Sequence, residues 1–284
     1  MDRQIVVMQS DKRQEKLASL FCGEKRIGSW ERYQAEERTG TCIYVLPIPV
    51  SKLDTDLVLK EQLKAAFRKA DAANCVVFGG AFHQEWKTFF EEHQIRYWDF
   101  MQLPEVVEGN AWITAEAVVA ETILHGERSI QQQKVLLTGY GCCGQKIAAL
   151  FSKLGANVFV AARREEIRVQ ARKDGYGALD FHEVMDVISE MDMVINTVPA
   201  LVVTEDWICR MSKDAWILDI ASKPGGTDFE AAKRQEIKAK LALGLPGLYT
   251  TTSSAQLLKD AIVKYAPLEK DIKEESLWIF QIVI

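Results

Sequence analysis

Gly139, Gly141 and Gly144 stand as G-x-G-x-x-G inside the run KVLLTGYGCCGQKIAALFSKLGANVFVAARR, residues 134–164. An apolar strand precedes the glycines and an amphipathic helix follows them, the context in which this spacing signals a bound dinucleotide. Gly139 permits the tight turn, Gly141 lets the backbone approach a pyrophosphate, and Gly144 lets the helix pack on the strand. Tyr140, Cys142 and Cys143 complete the turn, and the helix start offers free N–H groups to the phosphates. The next strand ends Ala161-Ala162-Arg163-Arg164. An NAD site carries an acid there for the ribose 2′-hydroxyl. Two guanidiniums in its place suit a 2′-phosphate, so the expected cofactor is NADP. Thr197, Val198 and Pro199, then Ala221, Ser222 and Lys223, then Pro246 and Gly247 each follow a predicted strand. They are expected on the rim of the same cofactor site.

Other residue types suit a small anionic substrate. Lys223 heads the turn K-P-G-G-T-D-F, and Arg13 begins the first predicted helix. Asn110, Thr114 and Glu116 lie at the start of a further helix, where Thr114 and Glu116 also read as a cap and a first-turn acid. Asp11 and Glu116 are the candidates for moving a proton. The adjacent Cys142 and Cys143 lack a second pair at zinc spacing and read as small residues filling the turn, so no metal is expected. His83, His93, His125 and His182 do not read as ligands. No histidine follows His182, which argues against simple oxidation of a 2-hydroxyacid by a late catalytic histidine.

The elements that must position these residues follow an α/β rhythm. Strands are predicted at 4–8, 42–46, 75–80 and 95–98, with helices near 58–70 and 83–93. A helix over 114–125 sits between this run and a second one, with strands at 135–138, 192–197, 216–221 and 237–242. The expectation is two parallel α/β domains: residues 1–112, and a Rossmann domain over 113–252. A C-terminal helical segment, 253–284, is expected to rejoin the first domain. Within it SLWIFQIVI (276–284) is so apolar that it must be packed or paired with another chain.

Composition bounds the rest. The chain has 284 residues, 48% hydrophobic and 26% charged, with formal net charge -5. That is globular composition, and the acidic balance argues against nucleic acid. No apolar run reaches the roughly 18 residues of a membrane span, and the N-terminus lacks a secretory core. Six cysteines are too sparse for a disulfide framework, so a cytoplasmic protein is expected.

LDIASKPGGTDFEAAKRQEIKAKLALGLPG (218–247), VINTVPAL (194–201), GANVFVAARR (155–164), CVVFGG (75–80) and NAWITAEA (110–117) resemble matching stretches of the family of dipicolinate synthase A subunits. The resemblance implies a fold like the formate and glycerate dehydrogenases: a flavodoxin-like N-terminal domain, a Rossmann domain and a cleft between them. It implies NADP, and conversion of 4-hydroxy-tetrahydrodipicolinate, a small dicarboxylate, to dipicolinate in sporulation. It also implies a partner, the flavoprotein-like B subunit. A homo-oligomer is expected. The chain departs from the family pattern at four places. Cys142 replaces a basic residue, Gln9-Ser10-Asp11-Lys12-Arg13 stands where the family has Gly-Asp-x-Arg but keeps Asp11 and Arg13, and Ile113-Thr114-Ala115-Glu116-Ala117 replaces P-T-x-E-G. Thr252 stands where the family has a lysine. This last change and the apolar tail favour an alternative, a catalytically weakened nucleotide-binding subunit that works through a partner.

Overall fold

A computed structural model of the chain describes residues 3–21, 24–28, 30, 33, 41–70, 72–266 and 277–283. The chain divides into two compact units, one of Met1–Asn110 with Pro246–Ile284, the other of Ala111–Leu245. The boundaries expected from the sequence lie two residues later at the first division and seven later at the second.

In the first unit the parallel sheet runs β2 (Glu24–Gly28), β12 (Leu277–Val283), β1 (Arg3–Gln9), β3 (Thr41–Val45), β4 (Cys75–Gly79), β5 (Arg96–Asp99). This is the flavodoxin-like order 2-1-3-4-5 with one strand inserted between the first two. A parallel sheet covered on both faces needs apolar residues at every position rather than at alternate ones. β1 obeys this rule: Val6 and Met8 join one core with Tyr44, Phe67, Trp86 and Phe90, while Ile5 and Val7 join another with Leu17, Phe78, Leu258 and Ile262. The helices α1 (Lys12–Leu20), α2 (Leu57–Lys69) and α3 (Gln84–Glu92) supply part of that cover.

The sequence predicts the tail as part of a C-terminal helical segment. The helix instead ends at Tyr265, and residues 277–283 form the inserted strand β12, paired with β1 on one side and β2 on the other. Ile279, Phe280 and Ile282 are buried, which accounts for the apolar run without a second chain.

The helix α4 (Pro104–His125) carries the division between the units and begins ten residues before the predicted start. The second unit has the sheet order β11 (Lys238–Leu241), β10 (Trp216–Asp219), β9 (Met193–Asn196), β6 (Lys134–Thr138), β7 (Asn157–Ala161), β8 (Gly177–Leu179), all parallel. Renumbered within the unit this is 3-2-1-4-5-6, the Rossmann order, whose crossover point lies between β6 and β9. Its helices include α5 (Cys142–Lys153), α6 (Glu165–Lys173) and α7 (Phe229–Arg234). The helix α8 (Thr251–Tyr265) belongs to the first unit. Among the described residues no helix is long and apolar enough to cross a membrane.

Candidate active site

The glycine turn sits at the crossover point. Gly139 has φ of 84°, a left-handed conformation that disfavours any side chain, and a Cβ there would meet Thr197 Oγ1 at 2.6 Å. A Cβ on Gly144 would stand 2.6 Å from the Gly139 carbonyl oxygen, so the absent side chain is what lets α5 approach the turn. Gly141, the N-cap of α5, provides no side-chain cap, and a Cβ on it would meet nothing within 4 Å. An uncapped helix start facing open space is what a pyrophosphate requires.

The strand ends beside this turn are tied together below the surface. Thr138 Oγ1 donates to Asn196 Oδ1 at 2.5 Å, and Asn196 Nδ2 donates to the Val198 carbonyl at 3.0 Å. Asp219 accepts from the N–H groups of Ala221 (3.0 Å) and Gly226 (2.8 Å). Thr138, Asn196 and Asp219 are all fully buried. They shape the 197–199 and 221–226 loops and leave Lys223 exposed at the tip of the second, preceding a cis proline. Asp219 is not legible in the sequence, because a strand-ending acid carries no signal of the backbone groups it accepts from.

On the β7 side a pocket of about 490 Å³ is lined by Arg163, Phe181, His182, Val198, Leu201 and Trp207, among others. Arg163 and Arg164 are expected together from sequence, but only Arg163 lines this pocket; Arg164 occupies the N-cap position of α6. His182, which its sequence context does not mark as a site residue, lines it too. The Tyr140 side chain is turned to other work. Its hydroxyl donates to Asp174 at 2.7 Å, and burial together with that carboxylate holds the phenol protonated far above its ordinary range. Only the Tyr140 backbone remains for a cofactor. Cys142 is exposed. Cys143 is half-buried, and burial, then the neighbouring Cys142, push its thiol up despite a hydrogen bond with Thr114, so it stays protonated at neutral pH. Thr114, buried, thus links α4 to α5, while Glu116 is exposed on α4.

The first unit holds a separate charged cluster at the carboxyl end of β1. Asp11 caps α1 by accepting from the Gln14 N–H at 3.2 Å. It also accepts from Arg13 Nη2 at 3.1 Å and Lys52 Nζ at 3.5 Å. Burial raises the Asp11 pKa, but the two cations outweigh it and hold the carboxyl below its ordinary range. Arg13 is buried, and its Nε has no hydrogen-bond partner. A Cβ on Gly247 would lie 3.3 Å from the Asp11 carboxylate. Pro246 and Gly247, predicted on the cofactor rim, fall in this unit, where the Pro246 carbonyl accepts from Ser254 Oγ at 2.7 Å. Asn110, half-buried, closes the first stretch of the unit, and Thr252 is exposed on α8.

These features define a parallel α/β protein with a nicotinamide-dinucleotide-binding Rossmann unit. Residues 100–221 match the family described as D-isomer specific 2-hydroxyacid dehydrogenase, NAD binding domain. The A subunit of dipicolinate synthase from Bacillus subtilis (strain 168) is 32% identical over 194 residues, 68% of this chain and 65% of the relative. The aligned stretch thus spans just under two thirds of that relative's length. The crystal structure of the dipicolinate synthase A subunit from Bacillus halodurans overlays with a TM-score of 0.77 at 25% identity, covering 94% of this chain and 98% of that one. The crystal structure of its Bacillus subtilis counterpart gives 0.75 at 26% identity, covering 94% and 96%. The chain is a relative of the dipicolinate synthase A subunits.

Proposed function

We propose that this chain is an NADP-dependent oxidoreductase acting on a small cyclic dicarboxylate, as its relatives' name suggests, with 4-hydroxy-tetrahydrodipicolinate as substrate and dipicolinate as product. The observation that carries the cofactor assignment is Arg163 in the pocket beside the open glycine turn, at a strand tip that carries no acid. The backbone of 139–144 takes the pyrophosphate, and the 197–199 and 221–223 loops flank the nicotinamide end. Bound there, the oxidised cofactor supplies a hydride acceptor.

Overall the substrate loses one water and then a hydride and a proton. Lys223, exposed on the second unit, is the proposed cationic anchor for a carboxylate, with Thr114 as a neutral donor; Arg13 and Asn110 are the corresponding candidates on the first unit. Asp11, held ionised by two cations, is engaged in positioning Arg13. Glu116, exposed on α4, is therefore the stronger candidate for taking the proton. A cytoplasmic setting, a role in sporulation, a homo-oligomer and a flavoprotein-like B subunit complete the proposal. Pro246 and Gly247 are proposed to serve the first unit's cluster through Asp11.

The test is dipicolinate formation, followed by its ultraviolet absorbance, from freshly generated 4-hydroxy-tetrahydrodipicolinate and NADP, with and without the B subunit. Arg163→Ala should weaken NADP about 10- to 100-fold and NAD far less, the loss expected for a charged hydrogen bond. Equal loss for both cofactors overturns the NADP assignment. Thr252, where the resemblance to the family leads one to expect lysine, favours the second reading, a weakened subunit that binds a partner; that reading predicts no turnover but a stable complex with the B subunit. The apolar tail no longer supports it, because β12 is buried within its own sheet.

A further inference from the structure

We propose that His182 is a specificity-determining residue that joins Arg163 in reading the 2′-phosphate, so that discrimination of NADP over NAD depends on both side chains; this rests on the NADP assignment above. The argument begins with Arg168. Its guanidinium donates to the carbonyls of Ala162 (2.7 Å) and Arg163 (2.8 Å) at the end of β7. The same nitrogen donates to Asp180 Oδ2 at 2.6 Å, at the head of the turn that carries His182. The Asp180 Oδ1 oxygen accepts from the His182 N–H at 3.1 Å, and the Asp180 N–H donates to Glu183 Oε2 at 2.6 Å. Arg168 therefore clamps the strand tip to the histidine turn, and Arg163 and His182 line the same pocket. It also neutralises Asp180 through an ion pair.

The remaining lining divides by chemistry. Phe181, Met185, Leu201, Val202 and Trp207 offer an apolar slot of the kind a purine fills. The charged groups around His182 are Arg163 and Asp206 in the pocket lining, Arg168 on α6, and Asp180 and Glu183 on its own turn. A phosphate in this pocket meets the fixed cation of Arg163 and the ring N–H of His182.

The experiment measures the dissociation constants of NADP and NAD, by quenching of protein fluorescence, for the full chain and for His182→Gln, His182→Arg and Arg163→Ala. All titrations are run at about pH 8, well above the region where the phosphate itself titrates. H182Q should bind NADP roughly three- to fivefold more weakly than the unmodified chain, the size expected of a partly exposed contact, with NAD binding unchanged. H182R should bind NADP at least as tightly as the unmodified chain. Far-ultraviolet circular dichroism on each sample shows that it is folded. Selective loss of NADP in R163A, with H182Q indistinguishable from the unmodified chain, overturns the role of His182 and leaves the NADP assignment standing. Equal weakening of both cofactors in H182Q also overturns it, since that is the mark of a packing role. An unmodified chain with no preference for NADP overturns the assignment and this inference together.

Discussion

Gly141 and Gly144 lie three residues apart in one turn, and the structure assigns them opposite sensitivities to the same methyl group. At Gly144 the new Cβ would sit 2.6 Å from a backbone carbonyl oxygen, which no side-chain rotation relieves. The helix α5 must move off the turn, an overpacking cost of about 1–3 kcal/mol. For a unit of this size that lowers the melting temperature by roughly 3–10 °C. At Gly141 the Cβ enters open space, and the backbone, φ -77° and ψ -166°, is one that alanine adopts freely. Alanine is a poorer N-cap than glycine, but it loses less entropy on folding; the two effects are each about 0.5–1 kcal/mol and oppose one another. Gly141→Ala should therefore melt within a few degrees of the unmodified chain, yet bind dinucleotide at least about tenfold more weakly, because the methyl occupies the path of the pyrophosphate. Gly144→Ala should lose both stability and binding. The assay pairs a thermal melt with fluorescence titration of NADP and NAD on the same samples. A Gly141→Ala protein that binds both cofactors with unchanged affinity refutes the reasoning, for the pyrophosphate then does not pass over this turn.

Three other outcomes are expected. Asp219→Asn replaces one of two buried accepting oxygens with a donor facing the Gly226 or Ala221 N–H, and should cost about 1–3 kcal/mol and raise the KM for cofactor; an unchanged melt and KM would show that the 221–226 loop is held by other means. Glu85 is held down to about 2 by hydrogen bonds from Lys60 and Lys64, so the stability it adds is present above its unfolded value and fades as pH falls toward 2; Glu85→Gln should melt lower than the unmodified chain near neutrality and converge with it in acid, and parallel melting curves would count against the pairing. Deleting residues 277–283 removes Ile279, Phe280 and Ile282 from the core at about 1.5–3 kcal/mol each and strips β1 of one neighbour, so the first unit should fail to give a cooperative melt; a native-like melt would refute the placement of β12.

Much of the second unit is legible in the sequence because its signals are local. A strand, a glycine turn and a helix lie within thirty residues, and the order of the later strands follows the apolar runs. The extent of α4 is not legible, for an identifiable reason. Gly109 and Asn110 are poor helix formers, so the pattern reads as starting at Thr114. The structure shows why glycine is kept: a Cβ on Gly109 would meet the Leu257 side chain of α8 at 2.8 Å. β8 has only three residues, too few for a periodicity, and β2 (EKRIG) lacks the apolar run that marks the other strands. The site divides in the same way. The glycines and Arg163 announce themselves by type and spacing, whereas Asp219 and His182 acquire meaning only from hydrogen bonds and pocket walls contributed by distant segments.

The position of β12 also governs the order in which the protein can be made. β1 leaves the ribosome before the whole Rossmann unit, and its neighbour in the sheet, β12, leaves after it. The whole Rossmann unit emerges between them as one continuous stretch and can close its own sheet while the first unit waits. Until the tail is released, β1 and β2 lack the strand that bridges them and leave pairing edges open to other chains. Ordered synthesis thus makes the inserted unit the early product of folding and the outer one the late, aggregation-prone step. A chain that ends after residue 245, released from the ribosome, should yield a protease-resistant second unit behind a protease-sensitive first stretch.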